Sequence, residues 1–414
     1  MTGSRARQHA EYEHTETYYP STRASTRRAS RRNEKPQSQV RVIGGIDYTV
    51  ALVVIILVLV GVVMVFSASY MNTANRARFG HDPYFFLRRN IWWAAAGLAT
   101  MAGLANVSYE LIRPFAKVIY VVAVAMLLGV IAFGVASGGA QRWLDLPVIG
   151  QFQPSEVARA AVIFMVASMV EKSPNALKSW QGLFVFSGVV AFAVALIAYP
   201  GGMTASLITA FIGFGMIFVA SPHFWRFALL GGGAVAAVGT YLFRQYQVFI
   251  GGDGAFRGGR VMAWLDPFTD PLDAGFQTIQ SLYAIASGGL FGLGIGQSRQ
   301  SSFIPEPQND MIFSIIVEEL GLVGAGVILI LFGMLIWRGI IIALNAPDTF
   351  SSMTAIGIVF AVAFPTIINI AVVTNTIPNT GVNLPFISYG GTSLLVTMAL
   401  MGILLNISRY SKQG

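Results

Sequence analysis

Ten apolar runs, most of them close to the length of a membrane span, constrain this 414-residue chain more than any other feature. A helix needs about 20 mostly apolar residues to cross the hydrocarbon core of a bilayer. The runs fall at 48–66, 91–105, 118–135, 155–170, 183–199, 205–220, 227–249, 311–337, 353–373 and 391–407. Only 11% of the residues are charged, against about 25% in an ordinary soluble domain. The expected fold is therefore an all-α, polytopic integral membrane protein with ten transmembrane helices.

The first 42 residues differ in kind. Arg23, Arg27, Arg28, Arg31, Arg32 and Lys35 stand against Glu34 alone. Such a segment cannot bury a core, and the expectation is a disordered basic tail at residues 1–42 ahead of a membrane domain at 43–410. The tail carries much of the net charge of +8. Its charge suits anionic lipid at the cytoplasmic face better than nucleic acid, and no nucleic-acid partner is expected. By the positive-inside rule the N-terminus is cytoplasmic, and ten spans return the C-terminus to the same side. Arg113, Lys117, Lys172, Lys178, Arg226 and Arg338 then fall in cytoplasmic loops, whereas Arg76, Arg78, Arg88 and Arg89 fall outside. There is no cysteine, which excludes disulfides and thiol chemistry, and the four histidines are scattered. No dedicated metal cage is legible, and the metal content is unknown from sequence.

Four polar segments share the outer side: 138–145, the large loop 251–310 between the seventh and eighth runs, 375–381 and 384–393. Irregular backbone at membrane depth is tolerated only in protein or in a wet cavity, so one outward-facing cavity is expected. Asp310 ends the long loop immediately before the eighth run, where it reads equally as a helix cap or as a functional carboxylate. On an unbroken helix Glu318 lies about 80° around and about 12 Å from it, too far for a close carboxylate pair. Glu318 and Glu319 therefore read as groups that hold helices together. Glu156 and Arg159, with Gln153 before them, share a helix face in the fourth run, as a structural pair or an anion contact. Ser388, Tyr389 and Gly390 open the tenth run, where free N–H groups suit a phosphate and equally suit a capped glycine turn. The alternating glycines at 292, 294 and 296 have no strand–helix unit around them and read as a flexible turn.

In order along the chain stand Asp47, Ser67-Ala68-Ser69, Asp82-Pro83-Tyr84-Phe85-Phe86, Arg142-Trp143, Gln153-Pro154-Ser155-Glu156 and Asp266-Pro267-Phe268 with Gln277 and Gln280-Ser281. Then come Gly294-Ile295-Gly296, Pro305-Glu306 with Asn309-Asp310-Met311-Ile312-Phe313, Glu318-Glu319-Leu320-Gly321 and Leu384 to Gly391. This series resembles the SEDS (shape, elongation, division and sporulation) family of FtsW, RodA and SpoVE type, with the FtsW type the nearest. The resemblance implies a peptidoglycan glycosyltransferase of the bacterial cytoplasmic membrane that polymerises lipid II at the outer face. It implies a class B penicillin-binding protein transpeptidase as partner, among other divisome or elongasome membrane proteins. It places the catalytic carboxylate on Asp310 and substrate contacts on Arg142, Trp143, Gln153, Glu156, Arg159, Ser388, Tyr389 and Gly390. Glu318, Glu319 and Gln280 become supporting residues. A divalent cation, Mg2+ or Mn2+, could share in holding the diphosphate.

The chain departs from the family pattern at Gln151, where arginine is common, and at Arg159, where lysine is usual. Between the fifth and sixth runs Tyr199-Pro200-Gly201-Gly202-Met203-Thr204 replaces Gln-Pro-Asp-Leu-Gly-Thr and loses the acidic residue. A lipid II transporter and a non-catalytic division scaffold are the rival readings.

Overall fold

The computed structural model describes residues 44–74, 76–137, 140–146, 150–223, 225–226, 240, 264–273 and 275–411. The basic tail at 1–42, nearly all of the seventh run at 227–249 and the start of the long loop at 251–263 lie outside the described residues. The long helices are α1 (Tyr48–Ala74), α2 (Phe85–Asn106), α3 (Ile112–Phe133), α4 (Pro154–Lys172), α5 (Trp180–Ala198) and α6 (Met203–Ala220). After the undescribed stretch come a shorter α7 (Phe276–Gly288), then α8 (Ile312–Leu344), α9 (Thr349–Val373) and α10 (Gly391–Tyr410).

The local signals are ordinary ones. Asp47 Oδ1 accepts from Val50 N and starts α1. Pro154 opens α4 at a position where a missing N–H costs nothing. Asp348 and Ser351 close a capping box on α9. Among the described residues seven helices are long and apolar enough to cross a membrane: α1, α3 with its preceding turn, α5, α6, α8, α9 and α10. Among the rest, α2 carries Arg88, Arg89 and Asn90, and α4 carries Glu156 and Arg159. Leu52, Leu59, Phe133 and Ile330 are exposed on the outer surface, where lipid rather than water suits them.

From α1 to α6 and from α8 to α10 the long helices alternate in direction, whereas α7 and α8 start at the same end. At one end, Gly44 N donates to Arg409 O and Asp47 N to Ser408 Oγ, so the start of α1 meets the end of α10. Arg338, near the end of α8, donates to Asp47 Oδ2 from both Nε and Nη2. Tyr109 there bonds Asn406 and Asp348, and Arg113 pairs with Glu171. At the other end lie the N-termini of α2, α4, α6, α8 and α10.

Two departures from the sequence reading are informative. The fold is mostly helical, but a small antiparallel sheet stands between α3 and α4: β1 (Val135–Ser137), β2 (Ala140–Leu146) and β3 (Gly150–Phe152), in the order β1-β2-β3. Trp143 pairs with Val135 across one ladder and Asp145 with Gln151 across the other. The outer strands are only three residues long, and Gly138-Gly139 and Pro147 interrupt the pattern between strands, so periodicity gave no strand signal.

The second departure is α8, which is broken at Gly321 (φ 69°, ψ −176°). The glycine segment after α7 fills the break and is not a loose turn. Leu293 N and Gly294 N donate to Glu318 O and Glu319 O, while Leu322 N and Val323 N donate to Gly289 O and Leu290 O. A Cβ on Gly321 would lie 2.3 Å from Leu290 O, and one on Gly292 2.2 Å from Glu319 O. Both glycines have positive φ, so two backbones approach as only glycine permits. Gly321→Ala should therefore cost at least about 2 kcal/mol from strain and overlap. Gly326→Ala, where a Cβ meets nothing within 4 Å, should be neutral or stabilising. Thermal unfolding of the two purified variants reads the difference.

Candidate active site

A cavity of about 850 Å³ lies where the N-termini of α2, α4, α6, α8 and α10 meet. Its wall includes Arg89 from α2, Arg142 and Trp143 from β2, and Gln153, Glu156 and Arg159 from the α4 start. Thr204 of α6, Asp310 before α8 and Tyr389 to Ser393 at the α10 start complete much of it. Seven of the residues read from the sequence as substrate contacts thus come together with Asp310, from separated segments of the chain.

Asp310 does not cap α8, since the N-cap position is Met311 and the helix begins at Ile312. It sits in the preceding turn and is fixed from two sides. Asn369, fully buried on α9, donates from Nδ2 to Asp310 O (2.7 Å) and to Val382 O (2.6 Å). Gln277 of α7 donates to Asp310 Oδ1 at 3.5 Å and accepts from Asn379 Nδ2 at 3.0 Å. The carboxylate therefore faces the cavity from a turn whose backbone is held, the placement a proton acceptor needs.

Glu156 and Arg159 form a two-pronged ion pair, Nη2 to Oε1 at 3.1 Å and Nη1 to Oε2 at 3.0 Å. Both residues are buried, 5% and 7% exposed. Arg142 Nη2 donates to Gly201 O at 2.9 Å. The bond ties β2 to the turn before α6, at the position where the family pattern carries an aspartate. Gly201 has φ 93°, so the turn itself favours glycine.

Four of the sequence-selected residues stand outside the cavity wall. Ser388 Oγ accepts from Leu384 N and shapes the turn before α10. Gln280 lies half-buried on α7. Glu318 is fully buried and accepts from Ser287 Oγ, Ser298 Oγ, Arg299 N and Gln300 N. Glu319 accepts from Ser67 Oγ of α1 and from Ser298 N, and Ser67 Oγ also accepts from Gly296 N. The two glutamates thus join α1, α8 and the strap at 296–300, the role expected of them. Arg89, Trp93 and Asn369 belong to the site and were missed. Arg89 had a signal, since on the expected topology it breaks the positive-inside pattern, and such a cation needs a local reason.

The fold and site define a multi-pass membrane protein with a polar cavity at one end of its helix bundle. The FtsW/RodA/SpoVE family, described as "Cell cycle protein", matches residues 47–413, and the chain belongs to it. Stage V sporulation protein E of Bacillus subtilis is 38% identical over 373 residues, covering 88% of this chain and 98% of that protein. Peptidoglycan glycosyltransferase MrdB of Escherichia coli is 35% identical over 371 residues, covering 89% and 94%. A chain of a solved peptidoglycan synthase complex superposes with TM-score 0.70 at 28% identity, covering 89% of this chain and 99% of that one. Thermus thermophilus RodA superposes at TM-score 0.64 and 25% identity, covering 89% and 98%. The protein is accordingly a multi-pass protein of the cytoplasmic membrane.

Removing one member of the Glu156–Arg159 pair leaves a buried charge uncompensated. Glu156→Gln should lower stability by about 3 kcal/mol. The double change Glu156→Gln with Arg159→Met should recover part of that loss. Thermal unfolding of the three proteins in one detergent checks the ordering.

Proposed function

We propose that this chain, a peptidoglycan glycosyltransferase of cell-wall synthesis, polymerises lipid II with Asp310 as its general base. Asp310 takes the proton of the acceptor sugar hydroxyl as that oxygen attacks the anomeric carbon of the donor glycan. The bond to the donor's diphosphate breaks, and undecaprenyl diphosphate leaves with the electron pair. One carboxylate is enough, because a diphosphate is already a good leaving group. The chemistry needs a placed base and cationic or N–H groups for the departing charge. The observation that carries this reading is the joining of Asp310, Arg142, Arg159 and the α10 N-terminus in one cavity.

The long strap before α8, the outer cavity and the basic short loops at the opposite end favour an arrangement with both termini cytoplasmic and the cavity outside. Ten spans result if the undescribed run at 227–249 crosses once, and α2 and α4 cross with it. A class B penicillin-binding protein is the partner this reading expects, since a glycan polymer needs crosslinking. A divalent cation, Mg2+ or Mn2+, would draw its oxygen ligands mainly from diphosphate and water, with Asp310 or Glu306 as carboxylate. Among the described residues no group of three or more His, Asp or Glu gathers to hold a metal. No step of the proposed reaction runs through such an ion.

Asp310→Asn should reduce polymer formation from lipid II by at least about 10²-fold, the scale of a lost general base, with unchanged thermal unfolding. The assay is gel analysis of glycan made by purified protein with its co-purified transpeptidase. Polymer at wild-type rate from the folded variant overturns the assignment.

A further inference from the structure

We propose that the N-terminus of α10, with Thr392 and Arg89, forms a subsite for the diphosphate of a polyprenyl-linked substrate. The N-cap of α10 is Gly390, which has no side chain to satisfy the first N–H groups of the helix. The N–H groups of Gly391, Thr392 and Ser393 therefore stand open at the positive end of a 20-residue helix. Gly390 to Ser393 all line the cavity.

The second observation is Thr392. It is 3% exposed, and its Oγ1 has no hydrogen-bond partner among the described residues. Three other buried threonines, Thr73, Thr209 and Thr366, return their hydroxyl to the carbonyl four residues back; Thr354 does not, but it does not line the cavity. Thr392 lies in the first turn and has no such carbonyl in its own helix. A buried hydroxyl without a partner costs about 1–3 kcal/mol, so its place at a cavity wall points to a ligand.

Arg89 supplies the charge. It lines the same cavity beside Tyr389 and stacks over Phe85 with its guanidinium carbon 5.0 Å from the ring centre. Burial pushes the Tyr389 phenol above its ordinary value, and Arg89 pulls it partly back. The phenol thus stays an O–H donor at neutral pH. Phe86 packs edge-on against Tyr389 at 4.8 Å and keeps the pair in place. Arg159, by contrast, is already matched by both oxygens of Glu156.

Gly391 completes the cradle. A Cβ there would fall 2.2 Å from the Trp93 ring, so the indole lies directly against the backbone of the first turn. Tyr389 N donates to Gln308 O at 2.9 Å, which links this turn to the one that carries Asp310. A diphosphate held here would be gripped by N–H groups, hydroxyls and a guanidinium, beside the proposed base. Its polyprenyl identity rests on the glycosyltransferase reading, whereas the anion-binding geometry does not.

The test measures binding of undecaprenyl diphosphate to the full-length protein in phosphatidylcholine nanodiscs. Thr392→Val keeps the shape and removes the hydroxyl; Arg89→Ala removes the charge. Each should weaken binding by about tenfold or more, the scale of a lost charge-assisted contact. Each should raise the KM for lipid II more than it lowers kcat. Thr392→Ser and Arg89→Lys should recover most of the affinity. Inorganic pyrophosphate should compete, and phosphatidylglycerol in the nanodisc should not. Wild-type affinity in both Thr392→Val and Arg89→Ala overturns the subsite, as does equal displacement by phosphatidylglycerol. Asp310→Asn should still bind undecaprenyl diphosphate. Binding that depends on Arg89 and Thr392 in a protein that makes no glycan supports the subsite and sinks the glycosyltransferase reading instead.

Discussion

A chain inside a bilayer cannot leave backbone N–H and C=O groups open, and α8 leaves several open by breaking at Gly321. The segment 289–294 answers them with four backbone hydrogen bonds, two donated in each direction. That exchange fixes much of the surrounding framework. It seats α7 against α8, and Glu318 and Glu319 then gather Ser287, Ser67 and the strap at 296–300 around the break. The strap runs on to the turn that carries Asp310. A glutamate buried in apolar surroundings is costly alone, and here each accepts several donors, so its oxygens are satisfied by hydrogen bonds. The distance between Glu318 and the cavity is a consequence: these carboxylates hold the framework, and Asp310 faces the substrate space.

Helix direction gives the cavity its electrostatic character. Each helix that starts at the cavity end brings the positive end of its dipole there, and among the described residues α2, α4, α6, α7, α8 and α10 do. Arg89, Arg142 and Arg159 add full charges to that partial one. Glu156 offsets Arg159 and leaves the others facing Asp145, Glu306 and Asp310. The balance suits an anion that must be held beside a carboxylate without being expelled by it, which is the demand a diphosphate leaving group makes.

Much of this was legible in the sequence, and the limits have physical reasons. Apolar run length located nine of the long helices because hydrocarbon thickness imposes it. The ends were misjudged where helices continue past the apolar stretch: α2 starts at Phe85, not near 91, because Arg88 and Arg89 belong to the helix and not to a loop. The alternating glycines at 292, 294 and 296 looked like slack, since their partner is a backbone some thirty residues onward that no local pattern reveals. The sheet at 135–152 escaped for a similar reason, three-residue edge strands being defined by pairing and not by periodicity. The cavity residues fared better because each is a polar group placed where a membrane protein can least tolerate one. Ser388 shapes the turn before α10, as a hydroxyl beside two glycines does as readily as it serves a ligand.

The missing acidic residue at Gly201 bears on activity through the same logic. An aspartate there would offer Arg142 a carboxylate, and the structure gives it the Gly201 carbonyl instead. Position is therefore preserved, because the carbonyl holds β2 to the α6 turn from the backbone and needs no side chain. What changes is charge. A carboxylate at 201 would add a negative charge to the cavity wall that the backbone carbonyl does not bring. Losing one negative charge from a site that binds an anion strengthens the attraction to that anion in both its bound and departing states. Uniform strengthening favours tighter substrate binding and slower release more than it favours the chemical step. The departure at Gly201 thus fits a glycosyltransferase with altered charge at its cavity, the proposed base Asp310 and the framework around it being in place, rather than a scaffold that has lost its chemistry.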